Sequence, residues 1–196
     1  MKNKFIQNCL LILPVFILAP SLAHAHTGVG HAAGFLHGVC HPFGGLDHIL
    51  AMVAVGIWAA QISGKVIWAV PTTFVSVMII GGILGIAGIA IPFVEQGIVM
   101  SVLILGVLIA AAVRLPLSAS VAIVGLFAIF HGYAHGAEIP STVSGVAYGI
   151  GFALATATLH LSGIGFGVFF QRIARLQVVR FAGVAIAIGG GFLFIT

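Results

Sequence analysis

The chain has 196 residues, 61% of them hydrophobic and 5% charged, with 27 glycines and a formal net charge of +4. A soluble domain carries roughly 25% charged residues, so this composition excludes a water-covered globule. The length suits one domain of several membrane helices without an ATP-hydrolysing domain, and there is no Gly-rich loop ending in Gly-Lys-Ser/Thr. The basic residues are few and scattered, which argues against nucleic acid as a partner.

Residues 1–25 read as a cleavable signal peptide. Lys2 and Lys4 make a positive start, Phe5 to Leu18 an apolar stretch broken by Pro14, and Ala23-His24-Ala25 a small-residue cleavage site that releases His26. Cleavage after Ser21-Leu22-Ala23 is a second choice, and an uncleaved first helix is the alternative; each exports the segment that follows. Cleavage removes Cys9 and leaves Cys40 alone, so no disulfide framework is expected. Cys40 itself is expected to serve packing. His24, His26 and His31 form a polar tail or, after cleavage at Ala23, an amine-and-imidazole site suited to copper or nickel.

Residues 26–196 read as one all-α domain, an integral membrane bundle of six transmembrane helices. A span needs about 20 apolar residues, and six stretches qualify: 34–61, 66–91, 97–113, 118–137, 142–169 and 178–195. With the first span entering from outside, the cytoplasmic loops hold Lys65, Arg114, Arg172, Arg175 and Arg180. The opposite loops hold only Glu95 and Glu138. That is the asymmetry of a multi-pass inner-membrane protein with both mature termini in the periplasm. Dense glycines such as Gly81, Gly85, Gly132, Gly136 and Gly151 fit tight helix packing. Gly44-Gly45, between Pro42 and Asp47, is different, because a helix broken there exposes backbone carbonyls to an ion.

Ionisable residues are costly in hydrocarbon, so their clusters mark function. The first span holds His37, His41, Asp47 and His48, and the fourth holds His131, His135 and Glu138. Residues three, four and seven apart share a helix face. His131, His135 and Glu138 therefore form one stripe, as do His37, His41 and His48 if the first helix is continuous. At about 1.5 Å per residue, His41 lies ~10 Å below the outer edge and His131 ~9 Å. The two are expected to meet in one outward-facing vestibule with Asp47 and His48 as its floor. His160, deeper on the fifth span, is an inner station or a packing histidine. Imidazole with carboxylate suits a divalent transition metal. No tightly bound cofactor is expected. The bland alternatives are a buried ion pair at Asp47 and His48, histidines bonded to backbone, and a solvated loop acid at Glu138.

His41-Pro42-Phe43-Gly44-Gly45-Leu46-Asp47-His48, Phe130-His131-Gly132-Tyr133-Ala134-His135-Gly136-Ala137-Glu138 and Leu159-His160 together resemble the HupE/UreJ family of nickel and cobalt permeases. The resemblance covers essentially the whole mature chain. It implies import of Ni²⁺ or Co²⁺ as transported substrate, a protein that is not an enzyme, and nickel delivery to hydrogenase or urease maturation. A homo-oligomer is compatible with it. Larger nickel/cobalt transporters, more distantly similar, have four residues between His and Asp-His where this chain has five. The expected roles are capture at the mouth by His37, His135 and Glu138, holding by His41, Asp47, His48 and His131, and exit past His160. The competing class is a membrane metalloenzyme or haem protein built on the paired histidines; a chromophore in purified protein would mark it.

The charge asymmetry yields a topology test. A cysteine introduced at Gln96 should label from outside the cell, and one at Ser63 should not. The opposite pattern would invert the direction of transport.

Overall fold

The computed structural model describes residues 31–139 and 143–195. The signal-peptide reading of residues 1–25, with His24 and His26, lies outside the described residues, as do the side chain of His31 and Thr142 at the expected start of the fifth span. Among the described residues the structure is all helical. The helices are α1 (His31–Cys40), α2 (Leu46–Ile62), α3 (Val66–Ile86), α4 (Val94–Ala110), α5 (Leu117–Ala137), α6 (Gly145–Arg172) and α7 (Leu176–Ile195), with a 3₁₀ turn, His41–Phe43, between α1 and α2.

Helices α3, α5, α6 and α7 are each long and apolar enough to cross a membrane, and the segment Gly34–Phe43 with α2 makes a fifth as a bent pair. Four or five candidate spans thus stand against the six expected; the bent pair is the fifth, and α4 is the one that falls short. Its 17 residues at about 1.5 Å each span about 26 Å, short of a roughly 30 Å hydrocarbon core.

Helix ends depart from expectation where the backbone turns left-handed. The second span ends at Ile86 rather than at 91, because Gly88 takes φ 69° and the Ile89 N–H bonds back to the Leu84 carbonyl at 3.2 Å. The third ends at Ala110, where Ala112 takes φ 56° and the Val113 N–H reaches the Leu108 carbonyl at 2.9 Å.

The main correction concerns the first span, which is not one continuous helix. Pro42 lies in the 3₁₀ turn, Gly45 is extended at φ −112° and ψ 127°, and the two halves meet at 80°. Proline removes a backbone donor, and glycine allows the chain to leave the helix at little steric cost. The single stripe of His37, His41 and His48, and the depths read from it, therefore do not apply. The break expected at Gly44-Gly45 is present.

Helix α2 is the centre of the bundle. Its residues from Ala54 to Gln61 are all buried, as befits a helix apolar on every side. It packs against α3, α4, α6 and α7. The outer helices turn Ile79, Ile83, Phe181 and Ile188 outward, the surface expected against lipid. The most extensive seam joins α3 to α5. There a Cβ on Gly132 would run into the Met78 carbonyl, one on Gly136 into the Gly82 carbonyl, and one on Gly85 into the Tyr133 carbonyl. The α2–α6 seam repeats the device with Gly56 against the His160 carbonyl and Gly163 against the Val53 carbonyl. Not every glycine packs so: Gly149, Gly165 and Gly191 have open space at the Cβ position.

These seams set a stability test. Gly132→Val should destabilise the protein in detergent by about 1–3 kcal/mol or more, the usual cost of overpacking, because backbone is the obstacle and cannot rotate away. Gly165→Ala should be neutral or slightly stabilising. Thermal unfolding of the two variants side by side would check this, and equal melting points would refute the seam.

Candidate metal centre

The site forms where the break before α2 meets the last turns of α5. The break brings His41 and His48 in from different directions, on the 3₁₀ turn and in the first turn of α2. His131 and His135 project from one face of α5, and Glu138 follows as its C-cap. The carbonyl end of a helix carries partial negative charge and favours a cation. The amino end of α2 carries the opposite sign, and Asp47 sits in that first turn to offset it. Asp47 Oδ1 also accepts the His48 backbone N–H at 2.7 Å.

The rings form a line running inward. His41 Nε2 lies 3.5 Å from Glu138 Oε2, and His135 Nδ1 lies 3.8 Å from the same oxygen. His41, His135 and Glu138 each offer a ligand atom within 4.8 Å of the others, a set able to hold a metal ion. His135 Nε2 is 3.1 Å from His48 Nδ1, which is 3.4 Å from His131 Nδ1. Ligand bonds of about 2.0–2.1 Å put neighbouring nitrogens on one ion roughly 3–3.4 Å apart, so both spacings suit shared coordination. Side-chain exposure falls along the line from 58% at Glu138 to 37% at His41 and 12% at His135. His48 and His131 are buried. Phe152 of α6 walls one side, its ring centre 4.6 Å from His135 and 5.5 Å from His48.

A cavity of about 460 Å³ opens onto this line. His37, Cys40, His41, His48 and His135 line it, together with Asp47, Glu95 and Glu138. Those three carboxylates are all the acidic residues of the chain. No Lys or Arg is among the lining residues. The cavity is thus a place where negative charge and imidazole nitrogens gather in an otherwise apolar molecule.

His160 stands apart. It is buried on α6, neither ring nitrogen has a hydrogen-bond partner, and its neighbour is the Phe74 ring at 5.2 Å. Phe74 also meets the His131 ring, at 5.6 Å between ring centres. His160 and His131 thus share Phe74 as a ring neighbour.

Several expectations are adjusted by this arrangement. The expected partnership of His41 with His131 becomes two offset ones: His41 meets His135 at 4.6 Å between ring centres, and His48 meets His131 at 4.6 Å. The 80° bend keeps His41 toward the mouth while the chain re-enters deeper at His48. Cys40, expected to pack, is exposed and lines the cavity. Tyr148 is buried with its ring 5.8 Å from His41. Two residues went unread. Glu95 reaches the cavity from the first turn of α4, and its rarity, one of three acids, was the available signal. Ser101 of α4 lies 2.9 Å from His131 Nε2, and no spacing motif announced it.

The family described as HupE / UreJ protein matches residues 14–193 of the chain. A relative from Rhizobium leguminosarum bv. viciae, Protein HupE, is 49% identical over 176 residues, covering 90% of this chain and 92% of the relative. No solved structure matches.

The offset pairing can be checked by cross-linking. In a background with Cys40→Ser, the double variant His41→Cys/His135→Cys should be bridged by one equivalent of Hg²⁺. The variant His41→Cys/His131→Cys should keep two titratable thiols. Bridging of the second pair alone would restore the single-depth arrangement.

Proposed function

The chain belongs to the HupE/UreJ family, and from that premise we propose that it is a permease importing Ni²⁺ or Co²⁺ across the inner membrane from the periplasmic side. The observation that carries the reading is the shared cavity. All three carboxylates line it with four histidines and no cation. A dication approaching that mouth meets net negative charge before it gives up water.

In this reading Glu138, Glu95 and His37 draw the hydrated ion in. His41 and His135 with Glu138 make the first coordinating set. His48 and His131 take the ion inward, and Asp47 supplies charge that lowers the cost of holding a dication in low dielectric. His160, beside Phe74, is the inner station. Helix α4, extended by its flanking turns, serves as the sixth span. With no ATP-binding motif, the membrane potential or an ion gradient drives entry; the potential contributes about 2.3 kcal/mol per charge per 100 mV. The imported metal would serve hydrogenase or urease maturation, as the family resemblance implies.

Asp47→Asn isolates the charge. Asparagine keeps an oxygen that can accept the His48 N–H, so the first turn of α2 should survive. Uptake of radiolabelled nickel into proteoliposomes should fall by roughly tenfold or more, the scale set by groups that support metal ligands, with membrane insertion unchanged. Competition by Co²⁺ and Zn²⁺ in the same assay would rank the substrates. Wild-type uptake by the variant would remove Asp47 from the mechanism.

A further inference from the structure

We propose that Ser101 is a positioning residue that fixes the tautomer of His131 and so makes Nδ1 the atom of that ring that meets the ion. The inference rests on the permease reading only in taking His131 as part of the ion's path.

Both residues are fully buried, on different helices. Ser101 Oγ lies 2.6 Å from the Ile98 carbonyl oxygen and 2.9 Å from His131 Nε2. A carbonyl oxygen can only accept, and a hydroxyl has a single proton. Two oxygens at 2.6 Å with no proton between them would set lone pair against lone pair. The hydroxyl proton therefore points at Ile98. Toward His131 the oxygen is then left only as an acceptor, so Nε2 of the ring carries the hydrogen. A neutral imidazole has one N–H and one lone pair, and the lone pair falls on Nδ1.

That nitrogen faces the right way. His131 Nδ1 is 3.4 Å from His48 Nδ1, on the side of the ring turned to the outer line. A metal-binding histidine commonly donates its second N–H to an oxygen that sets tautomer and ring orientation. Ser101 occupies that place, and its own i−3 bond within α4 keeps its oxygen from turning. An alanine there would leave Nε2–H without a partner in a dry seam, and the ring would be free to put its proton on the nitrogen that faces the ion.

The test uses full-length protein labelled with ¹⁵N-histidine in lipid, without metal and then with Ni²⁺ alone. The His131 signals, identified by their loss in His131→Ala, should show protonated Nε2 and unprotonated Nδ1. Ser101→Ala should lose that signature and bind Ni²⁺ roughly 10–100-fold more weakly. Ser101→Thr, whose hydroxyl can make the same bond to a preceding carbonyl, should keep the signature. A wild-type His131 protonated at Nδ1 would overturn the inference. So would Ser101→Ala with unchanged signature and affinity while His131→Ala loses nickel binding; in that case the permease reading stands. If His131→Ala itself binds and transports nickel normally, His131's place in the path is what falls, and the spectrum still decides the role of Ser101.

Discussion

An ionisable group in hydrocarbon has to find a partner or a purpose, and this constraint organises the molecule. The chain has only three acids, and all of them line one cavity with most of the buried-motif histidines. Dispersed through the bundle, each would carry its own desolvation cost. Gathered at the junction of α2, α4 and α5, they share one opening to water. The helix break at Gly44-Gly45 makes the gathering possible. The two halves of the first span meet at 80°, and the second half opens with His48 against His131 and His135 of α5.

The glycine seams are the second condition. Rings on different helices can approach within 3.1–3.4 Å only if the backbones behind them are close and immobile. Gly132 and Gly136 alternate with His131 and His135 along α5 and press against α3. The same segment that presents His131 and His135 is therefore clamped from behind. Lipid offers no hydrophobic drive for helix association, so close backbone packing carries much of that work. A histidine site built this way inherits its geometry from the scaffold rather than from mobile loops.

Much of this was legible in the residues. The helical class, the bounds of α5 and α7, and the shared face of His131, His135 and Glu138 follow from hydrophobic length and helical spacing. The break at Gly44-Gly45 was signalled by Pro42 and the paired glycines. What escaped was the consequence of the break. Helical spacing gives depth only along a straight axis, so the pairing of His41 with His135 and of His48 with His131 could not be read from counting. Ser101 escaped for another reason. A single serine in an apolar span looks like packing until the neighbouring helix shows which side chain its oxygen touches. Glu95 lay in a short outer loop by sequence, and only the early start of α4 turned it toward the cavity.

The order of side-chain types along the line has a physical logic. Carboxylates line the opening: Glu138 is the most exposed member of the line, and Asp47 and Glu95 line the same cavity. Imidazoles go inward, ending at His131 with no exposure at all. A carboxylate attracts a cation over distance but is expensive to bury unpaired, and its charge would hold a dication too firmly to release. A neutral imidazole keeps a lone pair for coordination while costing far less to desolvate. The sequence from Glu138 through His41 and His135 to His48 and His131 thus exchanges long-range charge for short-range coordination as the surroundings dry. In the proposed permease, each step would weaken the electrostatic grip while preserving a ligand, the gradient required of a path an ion must both enter and leave.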